Sequence, residues 1–235
     1  MTRRIARAAA ILLSLSGPAM AQSTTPGSPP LPLTLVKARG PASDLTAVML
    51  SGDGGWASLD KEIADSLSAH GIPVAGVDSR AYLTSAKRDP ETASGDLAAL
   101  LRDRLAVDHR ERVLFVGYSR GADIGPFMLS RLPGDLLDRV VVVALLGAAP
   151  NANFTFHLID LVENKIRKDD LPAVPEIEKL AGRKILCFYG ADEKSSACPS
   201  LAPTVATVVR MPGGHHFDDK YGEIASHILS AVSAP

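Results

Sequence analysis

The stretch Val113-Leu114-Phe115-Val116-Gly117-Tyr118-Ser119-Arg120-Gly121-Ala122 decides how this chain folds. An apolar, partly β-branched run stops at Gly-Tyr-Ser-Arg-Gly, and such a run reads as a strand buried in a parallel sheet. From Gly121 to Leu132 the apolar residues take helical spacing. Ser119 therefore falls on a strand-to-helix turn, the setting that a G-x-S-x-G nucleophile elbow requires. Bulk at Gly117 or Gly121 would strike the neighbouring strand or helix, and the turn leaves the hydroxyl at a helix N-terminus, where backbone N–H groups favour an anion.

Working outward, strands and helices alternate. Leu31 to Val36, Leu45 to Leu50, Ile72 to Val77, Val140 to Leu146, Lys184 to Tyr189 and Val205 to Met211 read as strands. Leu59, Ile63 and Leu67 lie on one helical stripe, with Gly71 placed to end the helix. Asp89-Pro90-Glu91 reads as cap, first-turn proline and first-turn acid of a helix carrying Leu97, Leu101 and Leu105. Pro126 conflicts with the helix after the elbow, because it removes one ladder bond. Phe154, Phe156 and Leu158 alternate with polar residues as in an edge strand. Glu163 to Lys179 reads as loop with one short helix. Tyr221 to Val232 carries a clear apolar helical face. The expectation is an α/β fold: a mostly parallel central sheet with helices on both faces and no large cap domain. Sites in such sheets lie at the carboxyl ends of the strands.

The first 21 residues read as a signal peptide: basic Arg3, Arg4 and Arg7, an apolar core from Ala8 to Leu15, and an Ala19-Met20-Ala21 cleavage site. That core is shorter than the ~20 residues a membrane span needs. Residues 22–30 read as a Pro-rich flexible segment and residues 31–235 as one domain. Loss of the three leader arginines takes the net charge from −1 to −4. A mildly acidic chain without a basic stripe argues against nucleic acid as a partner. Export makes the expected location the periplasm. In that oxidising compartment Cys187 and Cys198 favour a disulfide over two free thiols.

A serine hydroxyl is a weak nucleophile until a base takes its proton and a third group holds the base. Chain order here is Ser119, then Asp192-Glu193 after one strand, then His215-His216 after the last. His215 is the preferred base because it follows Gly213-Gly214 directly. Glu193 is preferred as the acid because it falls three residues after the strand-end Gly190, with Asp192 the alternative. Oxyanion donors are expected at the backbone N–H of Arg120 and in the turn Ser51-Gly52-Asp53-Gly54-Gly55, at Asp53 or Gly54. Trp56, Tyr82, Tyr118 and His216 are candidate substrate contacts. Asp123 is either a helix-terminus acid or a group reaching the site, and Arg80 and Arg120 are candidate rim cations. No metal ligand set or cofactor motif is visible.

Together, Ser-Gly-Asp-Gly-Gly-Trp at 51–56, Gly-Tyr-Ser-Arg-Gly-Ala-Asp at 117–123, Tyr-Gly-Ala-Asp-Glu-Lys-Ser-Ser-Ala-Cys at 189–198 and Gly-Gly-His-His-Phe-Asp at 213–218 resemble the bacterial virulence protein VirJ/AcvB family. The resemblance implies a periplasmic α/β-hydrolase fold, catalytic Ser119 and His215, a Cys187–Cys198 bridge and a link to type IV secretion. It also implies hydrolysis of aminoacylated phosphatidylglycerol such as lysyl-phosphatidylglycerol, at a membrane surface or beside secretion-system components. The extra N-terminal domain of AcvB is missing from the pattern, so the chain is expected to be nearer the short VirJ form. The alternatives are a non-catalytic binding or chaperone factor of a secretion machine, and a generic carboxylesterase or thioesterase.

Overall fold

The computed structural model describes residues 30–155 and 167–233. The leader and the flexible segment up to residue 29 lie outside the described residues, as do residues 156–158 of the expected edge strand. Phe154 and Thr155 form a bend rather than a strand, and Phe154 packs edge-on against Phe127 at 5.9 Å.

The sheet is built from β1 (Leu33–Val36), β2 (Leu45–Leu50), β3 (Val74–Val77), β4 (Arg112–Tyr118), β5 (Val140–Leu146), β8 (Lys184–Gly190) and β9 (Thr207–Met211). Their order is β1-β3-β2-β4-β5-β8-β9. Only the β1–β3 pairing is antiparallel within it. A short ribbon, β6 (Asn151–Ala152) with β7 (Leu171–Pro172), stands apart.

Burial follows the pleat. On β4, Leu114, Val116 and Tyr118 enter one core while Val113 and Phe115 enter the other. Both faces are covered, so the strand reads as an unbroken apolar run. The first core is closed by α1 (Ser58–Ala69) and α7 (Tyr221–Ser233), through Leu59, Ile63, Leu67, Ile224 and Ile228. The second is closed by α3 (Pro90–Val107), α4 (Arg120–Leu129) and α6 (Ala173–Glu178), through Leu97, Leu101, Ile124, Phe127 and Ile177. α5 (Gly134–Leu137) joins α4 to β5.

The expected caps are present. Asp89 accepts the Thr92 N–H at 2.7 Å, and Gly71, at φ +79°, ends α1 where an added Cβ would meet the Pro41 carbonyl oxygen at 1.5 Å. Pro126 stays inside α4, whose whole length is buried. Packing against the sheet outweighs the one lost ladder bond. Two helices were not legible: α5, and α2 (Ser79–Ser85), which is capped by Asp78 accepting the Ala81 N–H at 2.8 Å.

Cys187 on β8 and Cys198 form a disulfide, with Cα atoms 5.4 Å apart. The bridge closes an 11-residue loop that contains Glu193.

Candidate active site

Four adjacent parallel strands deliver the site. At their carboxyl ends β4 runs into Ser119, β5 into Gly147, β8 into the loop of Glu193, and β9 into the loop of His215.

Ser119 sits at φ 51°, ψ −118°, a conformation that non-glycine residues rarely adopt. The surroundings over-determine it. Its N–H donates to the Leu146 carbonyl at 2.8 Å, and the Gly121 N–H donates to that of Ser51 at 3.1 Å. A Cβ on Gly121 would lie 2.2 Å from the Leu50 carbonyl oxygen, and one on Gly117 would lie 2.5 Å from that of Gly121. Both positions are glycine because backbone, not a movable side chain, occupies the space.

The His215 Nε2 lies 2.8 Å from the Ser119 hydroxyl, and its Nδ1 lies 2.6 Å from Glu193 Oε1. The other Glu193 oxygen accepts the Gly190 N–H at 3.1 Å, which fixes the carboxylate in its loop. Burial disfavours the charged imidazole. The hydrogen bond and charge of Glu193, with Asp123 and Asp53 farther off, outweigh that and raise the His215 pKa above its ordinary value. The ring stacks on Tyr118, with centroids 5.5 Å apart. Gly147, at φ +65°, gives it room: a Cβ there would lie 2.7 Å from His215 Cε1. Glu193 rather than Asp192, and His215 rather than His216, stand in hydrogen-bond sequence with Ser119. Asp192 is exposed, and its N–H donates to the Gly213 carbonyl at 2.8 Å.

These groups open into a cavity of about 600 Å³. Gly52, Asp53, Gly54, Tyr118 and His216 line it, and His216 Nδ1 meets the Tyr118 hydroxyl at 2.9 Å. The glycine turn closes with the Gly55 N–H donating to the Gly52 carbonyl, and it lies against Ser119. A Cβ on Gly52 would come within 3.0 Å of Ser119 Cβ. Arg120 pins this turn to α4. Its Nε and Nη2 donate to the two Asp53 carboxylate oxygens, each at 3.1 Å, and Nη1 donates to the Asn153 carbonyl at 3.3 Å. The guanidinium thus binds the turn instead of serving as a rim cation. Asp123 lines the cavity and accepts the Ala149 N–H at 2.7 Å. Burial pushes its carboxyl up to about 7 against that bond and Arg120.

Two expected substrate contacts are corrected. Trp56 lies outside the cavity wall and covers β3: its ring fills the space where a Cβ on Gly76 would sit, 2.2 Å from Cζ3. Tyr82 is buried on α2, donates to Asp96 at 2.8 Å and lies under the Arg88 guanidinium. A strand end predicted its approach to the site, but α2 turns the phenol into the second core. Arg80, also on α2, does not line the cavity either. Sequence reading missed Gly147, Asp60, Asp219 and Tyr221 as parts of this site. Only Gly147 had a signal, as a glycine directly after a buried strand.

The sheet order, the elbow and the relay at the carboxyl strand ends define the α/β-hydrolase fold. The family of bacterial virulence proteins described as VirJ matches residues 44–234, and the chain belongs to that family. Comparison with curated proteins gives no match. Among solved structures, a Xanthomonas campestris α/β serine hydrolase without a lid is similar at TM-score 0.57 and 17% identity, over 86% of this chain and 87% of that one. Est1E from Butyrivibrio proteoclasticus, with ferulic acid bound, is similar at TM-score 0.64 and 12% identity, over 87% and 96%. An α/β serine hydrolase homologue from Coxiella burnetii gives 0.58 and 15%, over 84% and 89%.

Proposed function

We propose that this chain is a periplasmic serine hydrolase that cleaves a carboxylic ester. The observation that carries the reading is the unbroken Ser119–His215–Glu193 hydrogen-bond chain opening into a cavity. In this scheme His215 Nε2 takes the Ser119 proton as Oγ attacks the ester carbonyl. Glu193 holds the Nδ1–H and offsets the imidazolium charge. The backbone N–H of Arg120, at the start of α4, and that of Asp53 or Gly54 receive the oxyanion. Collapse of the tetrahedral adduct passes the proton from His215 to the leaving alcohol. A water molecule then repeats the sequence on the acyl-enzyme.

The proposed substrate is the aminoacyl ester of aminoacylated phosphatidylglycerol, such as lysyl-phosphatidylglycerol. Membership of the VirJ family supports this, as does a cavity wall bearing Asp53, Asp60, Asp123, Glu193 and Asp219. Export by the expected leader would give access to such a lipid, and the disulfide fits an oxidising compartment.

A fluorophosphonate probe is expected to label Ser119 in the purified protein. Ser119→Ala is expected to lose labelling and about 10⁴-fold or more in kcat/KM while remaining folded. Undiminished turnover in that variant would overturn the reading in favour of a binding role.

A further inference from the structure

The scheme above leaves two buried carboxylates of the cavity wall unused, Asp123 and Asp60. Asp60 stands in the first turn of α1 and in the wall of the cavity that holds Ser119. It is 1% exposed. Its Oδ2 accepts the Ala57 N–H at 2.9 Å, whereas Oδ1 is closed to solvent and has no hydrogen-bond partner among the described residues.

Helix capping accounts for one oxygen and not for the charge. A neutral acceptor at this place would satisfy Ala57 without burying an anion, and an unpaired buried charge is costly. Among the described residues no cation forms an ion pair with it. Arg120, in the same wall, is held by Asp53, and Lys61 is an exposed chain neighbour. Burial pushes the Asp60 carboxyl up to about 6 against the Ala57 N–H, and the negative charge of Asp78 adds to the rise. At neutral pH the group is still mostly ionised, and an arriving cation would offset its burial. Tyr118, Tyr221 and the exposed Asp219 share this part of the wall, and Tyr221 donates to Asp219 at 2.7 Å. The phenol oxygens add acceptors and Asp219 a second negative charge.

We propose that Asp60 is the anionic seat of an ammonium subsite, so that the cavity selects esters carrying a protonated amine. The carboxylate supplies the negative charge that draws that amine to this wall, and the ester carbonyl is then presented to Ser119. The selection of esters rests on the hydrolase reading; the binding of the ammonium group does not.

The test uses matched pairs in which one member carries a methyl group in place of the ammonium. Alanyl and isobutyryl esters of glycerol place the amine on the acyl side; the acetyl esters of 3-aminopropanol and butanol place it on the alcohol side. Wild-type protein is expected to favour the charged member of at least one pair in kcat/KM. Asp60→Asn keeps an oxygen for Ala57 and removes the charge, so that preference should fall by about 30-fold or more. A loss of capping alone would instead lower the melting temperature and leave the preference intact. Wild-type preference at or below unity in both pairs overturns the proposal even if Asp60→Asn fails to fold, as does an unchanged preference in a folded variant. Calorimetric titration of Ser119→Ala protein with the same esters reads the subsite without turnover. Preferential binding there, with no turnover by wild type, would sink the hydrolase reading and leave the subsite standing; equal binding in both pairs would sink the subsite.

Discussion

The two sides of the proposed relay are built differently. On the nucleophile's side, position is set by backbone against backbone. Gly117 and Gly121 leave no space for a side chain because backbone fills it, and the turn is held between β2, β4 and α4. On the acid–base side, two loops hold each other. The Ala191 N–H donates to the Met211 carbonyl at 2.8 Å, Asp192 donates to Gly213, and a Cβ on Gly190 would meet the Gly214 carbonyl oxygen at 2.1 Å. The disulfide then ties the acid loop back to β8. Errors on the first side should therefore propagate into the fold, and errors on the second should remain in the chemistry.

The largest effect expected from breaking this contrast is on activity. Glu193→Gln keeps the shape of the acid but loses the charge that stabilises the imidazolium. We expect kcat/KM to fall on the order of 10³-fold with the melting temperature nearly kept. The same variant reports on protonation. His215 acts as a base only when neutral, and its pKa is raised above the ordinary 6.5. The wild-type kcat/KM should therefore rise with pH through a midpoint above 6.5, and Glu193→Gln should move that midpoint down; an unmoved acid limb would assign it to another group.

Gly121→Ala probes the opposite side. With a Cβ 2.2 Å from the Leu50 carbonyl oxygen, the central strand or α4 must shift. We expect a stability loss of about 3 kcal/mol or more by denaturant unfolding. A normally stable variant would show that the elbow is less constrained than its contacts imply. The smallest effect belongs to the bridge. Replacing Cys187 and Cys198 together by serine should lower stability by about 2–3 kcal/mol, the scale for a short closed loop. Turnover at low temperature should fall less than in Glu193→Gln, since the loops still share their backbone hydrogen bonds.

The same contrast explains what was legible. Ser119 was found from ten contiguous residues, because an elbow is a local object with its own glycine signature. Glu193 and His215 were found from chain order after strand ends. Their rivals Asp192 and His216 are immediate chain neighbours, separated from them in the reading only by their distance from Gly190 and from Gly213-Gly214. Tyr82 shows the limit. A tyrosine after a strand end looks like a wall residue, yet the Asp78 cap starts α2 and carries the phenol to Asp96. Trp56 shows it again, since its ring belongs to the gap left by Gly76 on β3.

Local chemistry in the chain thus determined the parallel strands, most of the helices, the strained turn at Ser119 and the order of the relay. Periodicity and glycine placement act over a few residues and survive reading in one dimension. The tertiary structure alone decided that Gly147 clears space for the imidazole, that Arg120 is held by Asp53, and that Asp60 shares a cavity with Ser119. Those facts depend on segments distant in sequence meeting at one end of the sheet, where directions of side chains and shared burial arise only after the strands have paired.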